Sequence, residues 1–336
     1  MRAVLVVNPR ASTTTPQTRA LLISTLEREL DLTVEETGHR GHAAELAAEL
    51  AATTARGEVD LVIAHGGDGT VNELVSGLLG PPREHAEPES DAPSARPAPA
   101  LAVIPGGSAN VFARSLGISP DPSRAVDQVL ETLRSGGRRR ISVGLCDSRF
   151  EDGRHEERWF VCNAGLGIDA DVIAMMEAGR WTGRPVTPTR YLLATVSAFF
   201  RWAFRPGPLT LELPGEAPVD EVRLAFVSNC TPWTYLGNRP ITTNPETSHE
   251  KGLGVFATTK LGLRHGIPLS IALLSPKKAP HTAGSIRADD LQKLTLTSKE
   301  PLRCQIDGEY VGRRVQAEFR SIPSALNVVA PRLLPN

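Results

Sequence analysis

Two carboxylate-bearing turns are the parts of this sequence whose residue types and spacing could do chemistry. The first lies in Leu61-Val62-Ile63-Ala64-His65-Gly66-Gly67-Asp68-Gly69-Thr70-Val71-Asn72-Glu73-Leu74, which reads strand, glycine-rich turn, helix. Glycines let the backbone approach a ligand closely, and a helix start offers unpaired N–H groups and a positive dipole end to an anion. Asp68 would repel a phosphate at that point unless a divalent cation lay between them. Mg²⁺, bound through one carboxylate and phosphate oxygens, resolves the conflict. The plain alternative is a glycine turn in which Asp68 caps the helix. The strand-turn-helix setting favours nucleotide binding with Asp68 as metal ligand. The second turn, Asp307-Gly308-Glu309, follows the strand-like run Arg303–Ile306. It either presents both carboxylates to one cleft or is an Asp-Gly hairpin corner with exposed charges, and the local sequence leaves both open.

The elements that must position these turns divide the chain in two. Strand-like and helix-like runs alternate through Ala3–Val7, Thr18–Leu30, Thr33–Glu36, Ala43–Ala55, Leu61–Ala64, Val71–Leu79 and Leu101–Ile104. This is the pattern of βαβ units around a parallel sheet covered on both faces. Two more small polar turns follow strands: Asn8-Pro9-Arg10-Ala11-Ser12 and Pro105-Gly106-Gly107-Ser108-Ala109-Asn110. Either alone is ordinary turn chemistry, but three turns after successive strands point to a shared ligand. From about Arg140 the runs shorten and alternate, as in an antiparallel β domain, with helices expected at Ala170–Glu177 and Arg190–Phe204. The fold expected is α/β: a Rossmann-like nucleotide domain over residues 1–139, a β-rich, sandwich-like domain over 140–315, and a segment 316–336 that returns to the first domain as a strand. Residues 81–100, PPREHAEPESDAPSARPAPA, have the composition of a disordered surface insertion.

Composition bounds the rest. A chain of 336 residues, 40% hydrophobic and 22% charged, can bury the cores of about two domains. A formal net charge of −1 gives no global attraction to nucleic acid. Four cysteines without CxxC spacing read as buried thiols in a reducing compartment, and the short N-terminal apolar run is a first strand rather than a secretory signal, so a cytoplasmic protein is expected. His39 and His42 stand three apart, but no carboxylate or thiol partner for a zinc site is visible beside them.

Asn8-Pro9, Gly41-His42-Ala43, Gly66-Gly67-Asp68-Gly69-Thr70-Val71-Asn72-Glu73, Pro105-Gly106-Gly107-Ser108-Ala109-Asn110, Asn163-Ala164-Gly165-Leu166-Gly167 and Ile306-Asp307-Gly308-Glu309 stand in one chain. In that combination the sequence resembles the diacylglycerol kinase catalytic family, which includes bacterial lipid kinases and sphingosine kinases and shares its nucleotide fold with NAD kinases and phosphofructokinases. The resemblance covers almost the whole chain apart from 81–100. It implies an ATP- and Mg²⁺-dependent phosphotransferase acting on a lipid alcohol, with diacylglycerol yielding phosphatidic acid as the first expectation. A sphingoid or ceramide-type acceptor, NAD, and a catalytically silent ATP-binding regulatory module are the alternatives. It implies ATP contacts at Asn8, Pro9, Arg10, Ala11, Ser12, Thr37, Gly66, Gly67, Asp68, Gly69, Thr70, Val71, Asn72, Gly107, Ser108 and Asn110. Asp68 would organise the metal, and Asp307 would be the base for the acceptor hydroxyl, with Glu309 orienting it or acting in its place. The site is expected in a cleft between the two domains. Many bacterial members hold a second, structural Mg²⁺ in an acidic loop ending Asp-Gly; here the loop reads Thr247-Ser248-His249-Glu250-Lys251-Gly252, and Lys251 stands at a carboxylate position. The second metal is therefore not expected.

On the acceptor side, Tyr191–Phe204 concentrates aromatic residues with Arg190, Arg201 and Arg205 around them. As a helix it would either line an acyl groove at a membrane surface or pack as ordinary core. Arg138-Arg139-Arg140 is read as charges closing a helix C-terminus, with steering to anionic lipid as its other use. The sequence is compatible with transient peripheral contact with a membrane surface and with a homodimer.

Overall fold

A computed structural model describes residues 1–54, 58–82, 98–181, 197–198, 201–203, 205–273 and 282–331. The chain divides into two units, Met1–Val143 with Pro323–Asn336, and Gly144–Ile322. Most of the expected insertion lies outside the described residues. Its last residue, Ala100, is a buried strand residue.

The first unit alternates β1 (Arg2–Val7), α1 (Pro16–Leu26), β2 (Asp31–Glu36), α2 (His42–Thr54), β3 (Leu61–Gly66), α3 (Asp68–Leu79), β4 (Ala100–Pro105), α4 (Val111–Ser115) and α5 (Pro122–Arg134). Helix starts follow local chemistry: Thr15 accepts the Thr18 N–H and Asp121 the Arg124 N–H, each with a proline at the first helical turn. The strands run parallel in the order β2-β1-β3-β4. β1, β3 and β4 are continuous apolar runs because helices cover both faces: α2 packs with α3, and α1 with α5. Leaving β1, the chain goes first to one side and then, after β2, to the other. With right-handed crossovers this puts α1 and α2 on opposite faces.

The second unit holds β5 (Arg138–Arg149, from Gly144), β6 (His155–Phe160), β7 (Asn163–Leu166), α6 (Ile168–Trp181), β8 (Leu209–Glu212), β9 (Val219–Val222), β10 (Leu224–Ser228), β11 (Thr234–Leu236), β12 (Arg239–Ile241), β13 (Leu253–Thr258), α7 (Leu263–Leu273), β14 (Ser285–Leu291), β15 (Lys293–Ile306) and most of β16 (Glu309–Val329). Neighbours β14-β13-β10-β7-β15-β16 pair antiparallel, with β8 beside β15. Their inward residues, with Phe160, Phe226, Phe256 and Phe319, make one apolar core on which α6 packs. From Pro323 the end of β16 belongs to the first unit, where Val328 pairs parallel with Leu101 of β4. The run expected at Arg303–Ile306 is the end of one long bulged strand, β15. Arg138-Arg139-Arg140 closes no helix; these residues open β5, four positions beyond the end of α5 at Arg134. All four cysteines are buried and free.

Candidate active site

The register of the first sheet lines up the strand ends. Val7 lies opposite Glu36 and His65, and Gly66 opposite Pro105, so Asn8, Thr37, Gly67 and Gly106 leave the sheet side by side. The turns are tied to one another: the Asn8 N–H donates to the His65 carbonyl (2.9 Å), the Thr37 N–H to Val7 (2.9 Å), the Thr13 N–H to Gly106 (2.9 Å) and the Gly106 N–H to Gly66 (2.8 Å). The reversal of strand order falls between β1 and β3. Open α/β sheets bind ligands beyond the carboxyl ends of their strands at such a switch point.

Most of the glycines there answer to the protein itself. A Cβ on Gly107 would stand 2.6 Å from the Gly67 Cα, one on Gly106 3.0 Å from the Gly66 Cα, and one on Gly66 2.7 Å from the Thr70 Cβ. The two loops thus touch backbone to backbone. Gly69 differs, because a Cβ there meets nothing within 4 Å, its φ is ordinary and the residue is exposed. Glycine in a helix costs about 0.5–1 kcal/mol relative to alanine. No contact in the fold calls for that cost, whereas close approach of an anion to the first turn of α3 does.

Several expected ligand residues turn out to build the loops. The Asn8 amide donates to Thr70 Oγ1 (2.9 Å) and its Oδ1 accepts the Arg10 N–H (2.9 Å). Asn110 closes its own turn, accepting the Gly107 N–H at 2.8 Å and donating to the Gly107 carbonyl at 2.7 Å. Val71 is a core side chain, so only its backbone faces the loop. Arg10, Ser12 and Ser108 are exposed. Gly67, not Asp68, is the N-cap of α3; the Asp68 carboxylate instead accepts the Phe112 N–H at the start of α4, 3.0 Å away. Beneath the turns, His65 accepts from Thr14 and donates to the Ile104 carbonyl, and burial holds its pKa below the ordinary value, so the ring is neutral. Glu73 accepts the Gly41 N–H at 2.9 Å, joining the start of α2 to α3.

In the second unit Asp307 and Gly308 both have positive φ, at 46° and 78°, the form an Asp-Gly hairpin takes. The corner is not a free end. Asp307 Oδ1 accepts the N–H groups of Cys162 (2.8 Å) and Asn163 (2.9 Å), and Oδ2 that of Val161 (2.8 Å). Gln305, almost fully buried, supports the turn: its Oε1 accepts the Gly308 N–H at 2.9 Å, and its Nε2 donates to Asn163 Oδ1 at 3.1 Å and Asp169 Oδ2 at 3.0 Å. Burial pushes the Asp169 carboxyl up to about 6, against the bonds from Gln305 and Ala170 that favour its charged form. Sequence reading passed over both residues. A lone polar residue between Cys304 and Ile306, and an aspartate two positions after Gly167, were the available signals.

Other expectations need correction. Glu45 supplies the carboxylate that was not visible beside His39 and His42: His39 Nε2 lies 3.6 Å from Glu45 Oε2 and the two rings stack at 4.7 Å. His42 Nδ1 accepts the Gly38 N–H, which puts the proton of its neutral ring on Nε2. The loop at Thr247–Gly252 is tied to carboxylates of β14. Asn244 Nδ2 and Thr247 Oγ1 both donate to Asp289 Oδ1, and the Gly252 N–H donates to Asp290. Most of the expected helix Arg190–Phe204 lies outside the described residues. Of the rest, Ala198, Trp202 and Ala203 are buried, and the Trp202 indole donates to Asp171 at 2.8 Å.

A parallel sheet whose switch point carries interlocked glycine turns and an open helix start makes a Rossmann-like α/β domain, followed by a β-rich unit with a fixed carboxylate corner. The model of the diacylglycerol kinase catalytic domain matches residues 2–146. It is 35% identical over 116 residues to a diacylglycerol kinase of Bacillus subtilis, covering 34% of this chain and 33% of that protein. It is 35% identical over 221 residues to a probable lipid kinase YegS-like of Chromohalobacter salexigens, covering 64% and 59%. The chain thus matches about a third of the one relative and about three fifths of the other. In fold it resembles a diacylglycerol kinase of Bacillus anthracis at 18% identity, with a TM-score of 0.66 over 98% of this chain and 97% of that one. It also resembles the yeast NADH kinase at 11% identity, with a TM-score of 0.50 over 99% and 84%.

Proposed function

We propose that the chain is an ATP-dependent lipid kinase that moves the γ-phosphoryl group of ATP to a lipid hydroxyl, with diacylglycerol as acceptor and phosphatidic acid as product. The observation that carries the nucleotide half is the open space before Gly69, at the strand-order reversal and at the start of α3. Phosphates placed there meet unpaired N–H groups and the positive end of the helix. The residues present suit Mg²⁺: Asp68 supplies one carboxylate at that helix start, and Mg²⁺ binds through one or two carboxylates with nucleotide oxygens and water. When bound, Mg²⁺ would screen the phosphates from Asp68 and neutralise charge on the transferred group. Asn8 and Thr70 fix the loop, and the N–H groups of Gly67 to Thr70 orient the phosphates.

The lipid half rests on the names of the relatives and on Asp307. Its carboxylate is held by three main-chain donors, so its position relative to Gly308 and Glu309 is fixed. Phosphoryl transfer runs through a loose transition state in which orienting the acceptor outweighs early deprotonation. A fixed carboxylate that aligns the hydroxyl and takes its proton late fits that chemistry, and Glu309 sits two residues on to assist. The test is transfer of labelled γ-phosphate from ATP to diacylglycerol, sphingosine, ceramide and, in parallel, NAD. Labelling of diacylglycerol is the expected result; labelling of NAD alone, or of no acceptor, overturns the reading.

A further inference from the structure

From Lys251 to Ala288 the chain contains no aspartate or glutamate, yet carries six cations, Lys251, Lys260, Arg264, Lys277, Lys278 and Arg287, in a protein whose net charge is −1. Helix α7 lies in the middle of this stretch. Leu269 faces inward and is 2% exposed, while Ile267 and Ile271, one turn apart, are 55% and 65% exposed and are two of the four large exposed apolar side chains among the described residues. Arg264 and Pro268 are exposed on the same side of the helix. Two isoleucines held out to water are unfavourable in a protein that stays in solution. None of Lys251, Lys260, Arg264 and Arg287 pairs with a carboxylate among the described residues, and all four are exposed.

We propose that α7 docks on an anionic membrane surface, with Ile267, Pro268 and Ile271 entering the headgroup boundary and Arg264 on the same side of the helix meeting lipid phosphates. This proposal rests on the lipid-kinase reading, because it gives the enzyme access to an acceptor that resides in a bilayer. An interfacial helix combines apolar insertion with basic residues in this way, and each lysine or arginine near an anionic surface strengthens binding. The positive charge of the segment favours such a surface over a second copy of this chain, which would bring like charges together. It also moves the membrane role away from the region of Trp202, whose side chain is buried on Asp171.

The test is co-sedimentation of the full chain with phosphatidylcholine vesicles, with and without phosphatidylglycerol, alongside phosphate transfer to a short-chain, water-soluble diacylglycerol. Binding should require phosphatidylglycerol and fall with added salt. Ile267→Ser/Ile271→Ser and Arg264→Glu should each lower it at least about tenfold while leaving transfer to the soluble acceptor unchanged. Unchanged melting temperatures show that the variants remain folded. Absence of binding with intact soluble transfer overturns the docking surface and leaves the kinase reading standing. Binding by α7 without transfer to any lipid alcohol overturns the kinase reading instead. A shift from dimer to monomer in the double variant, without any change in vesicle binding, would assign the face to a second copy and overturn the proposal.

Discussion

Asp307 and Asn163 hold each other through two hydrogen bonds of opposite sense: the Asp307 N–H donates to the Asn163 carbonyl at 2.8 Å, and the Asn163 N–H donates to the Asp307 carboxylate at 2.9 Å. With Val161 and Cys162 on the same carboxylate, the β15–β16 turn is clamped to the chain entering β7. An amide at this position has one acceptor oxygen and cannot serve both sides of the clamp. Asp307→Asn is therefore expected to lose about 1–3 kcal/mol of stability along with activity. Its kcat should fall by about 10²–10⁴ with the KM for ATP near that of the parent. Glu309→Gln should keep its melting temperature and lose less. Steady-state kinetics paired with thermal melts check this. A larger kcat loss in Glu309→Gln would make Glu309 the base and Asp307 its support.

Asp68 has a similar double duty, because its carboxylate holds the Phe112 N–H and is the one assigned to Mg²⁺. Asp68→Asn keeps an acceptor for Phe112 but drops the charge, whereas Asp68→Ala drops both. Both variants should lose phosphate transfer and bind Mg·ATP weakly; only the alanine variant should also melt earlier, by about 1–2 kcal/mol in stability. Calorimetric titration with Mg·ATP and thermal melts separate these effects. Near-normal turnover in Asp68→Asn would remove the charge from the mechanism.

The α/β half was legible because its signals are local. Continuous apolar strands, glycine turns directly after them, and the alternation of elements fix β1 to β4 and the edge where their turns meet. The amphipathic α5 was legible too, with Asp121 as cap and Pro122 in its first turn, although the basic run 138–140 read as its end belongs to the next strand. What the sequence hides is long-range pairing. That Asp68 reaches Phe112, 44 residues on, and that Gln305 reaches Asp169 and Asn163, 136 and 142 residues back, depends on segments far apart in the chain. The glycines show the same limit. Sequence reading assigns Gly66, Gly67 and Gly107 to ligand approach, while packing already demands glycine at Gly107, against the Gly67 Cα, and crowds a Cβ at Gly66 against Thr70.

Asp169 gives the fold a signature in pH. Its folded pKa of about 6 lies above the ordinary 3.8, so the fold prefers the protonated acid. The corresponding stability is fully present below 3.8, falls as pH rises and is lost above about 6. The loss is on the order of 2–3 kcal/mol for a shift of this size. Denaturant melts across that range should show it, and Asp169→Asn should flatten the slope. Because one amide oxygen cannot accept from both Gln305 and the Ala170 N–H as the carboxylate does, the comparison rests on the slope rather than on absolute stability. A wild-type curve already flat between those values would mean that the carboxylate stays ionised.

The sharpest separation of ligand from architecture comes from two glycines of neighbouring loops. At Gly69 an alanine Cβ meets nothing, the backbone is ordinary, and alanine is the better helix former, so Gly69→Ala should fold as well as the parent or gain up to about 1 kcal/mol. The same methyl group would fill the space assigned to the phosphates, so ATP affinity should fall at least about tenfold through lost close approach to the N–H groups of the first turn. At Gly107 the methyl group would lie 2.6 Å from the Gly67 Cα, backbone that cannot swing aside as a side chain does. Gly107→Ala should therefore lose stability, by about 1–3 kcal/mol as for overpacking elsewhere, and lose ATP binding as a consequence. Thermal melts with and without Mg·ATP read both quantities in one experiment. The expected pattern is a Gly69→Ala protein that melts like the parent but no longer gains stability from Mg·ATP. If it gains as much as the parent does, the open space at α3 is not where the phosphates lie, and the nucleotide half of the proposed function falls with it.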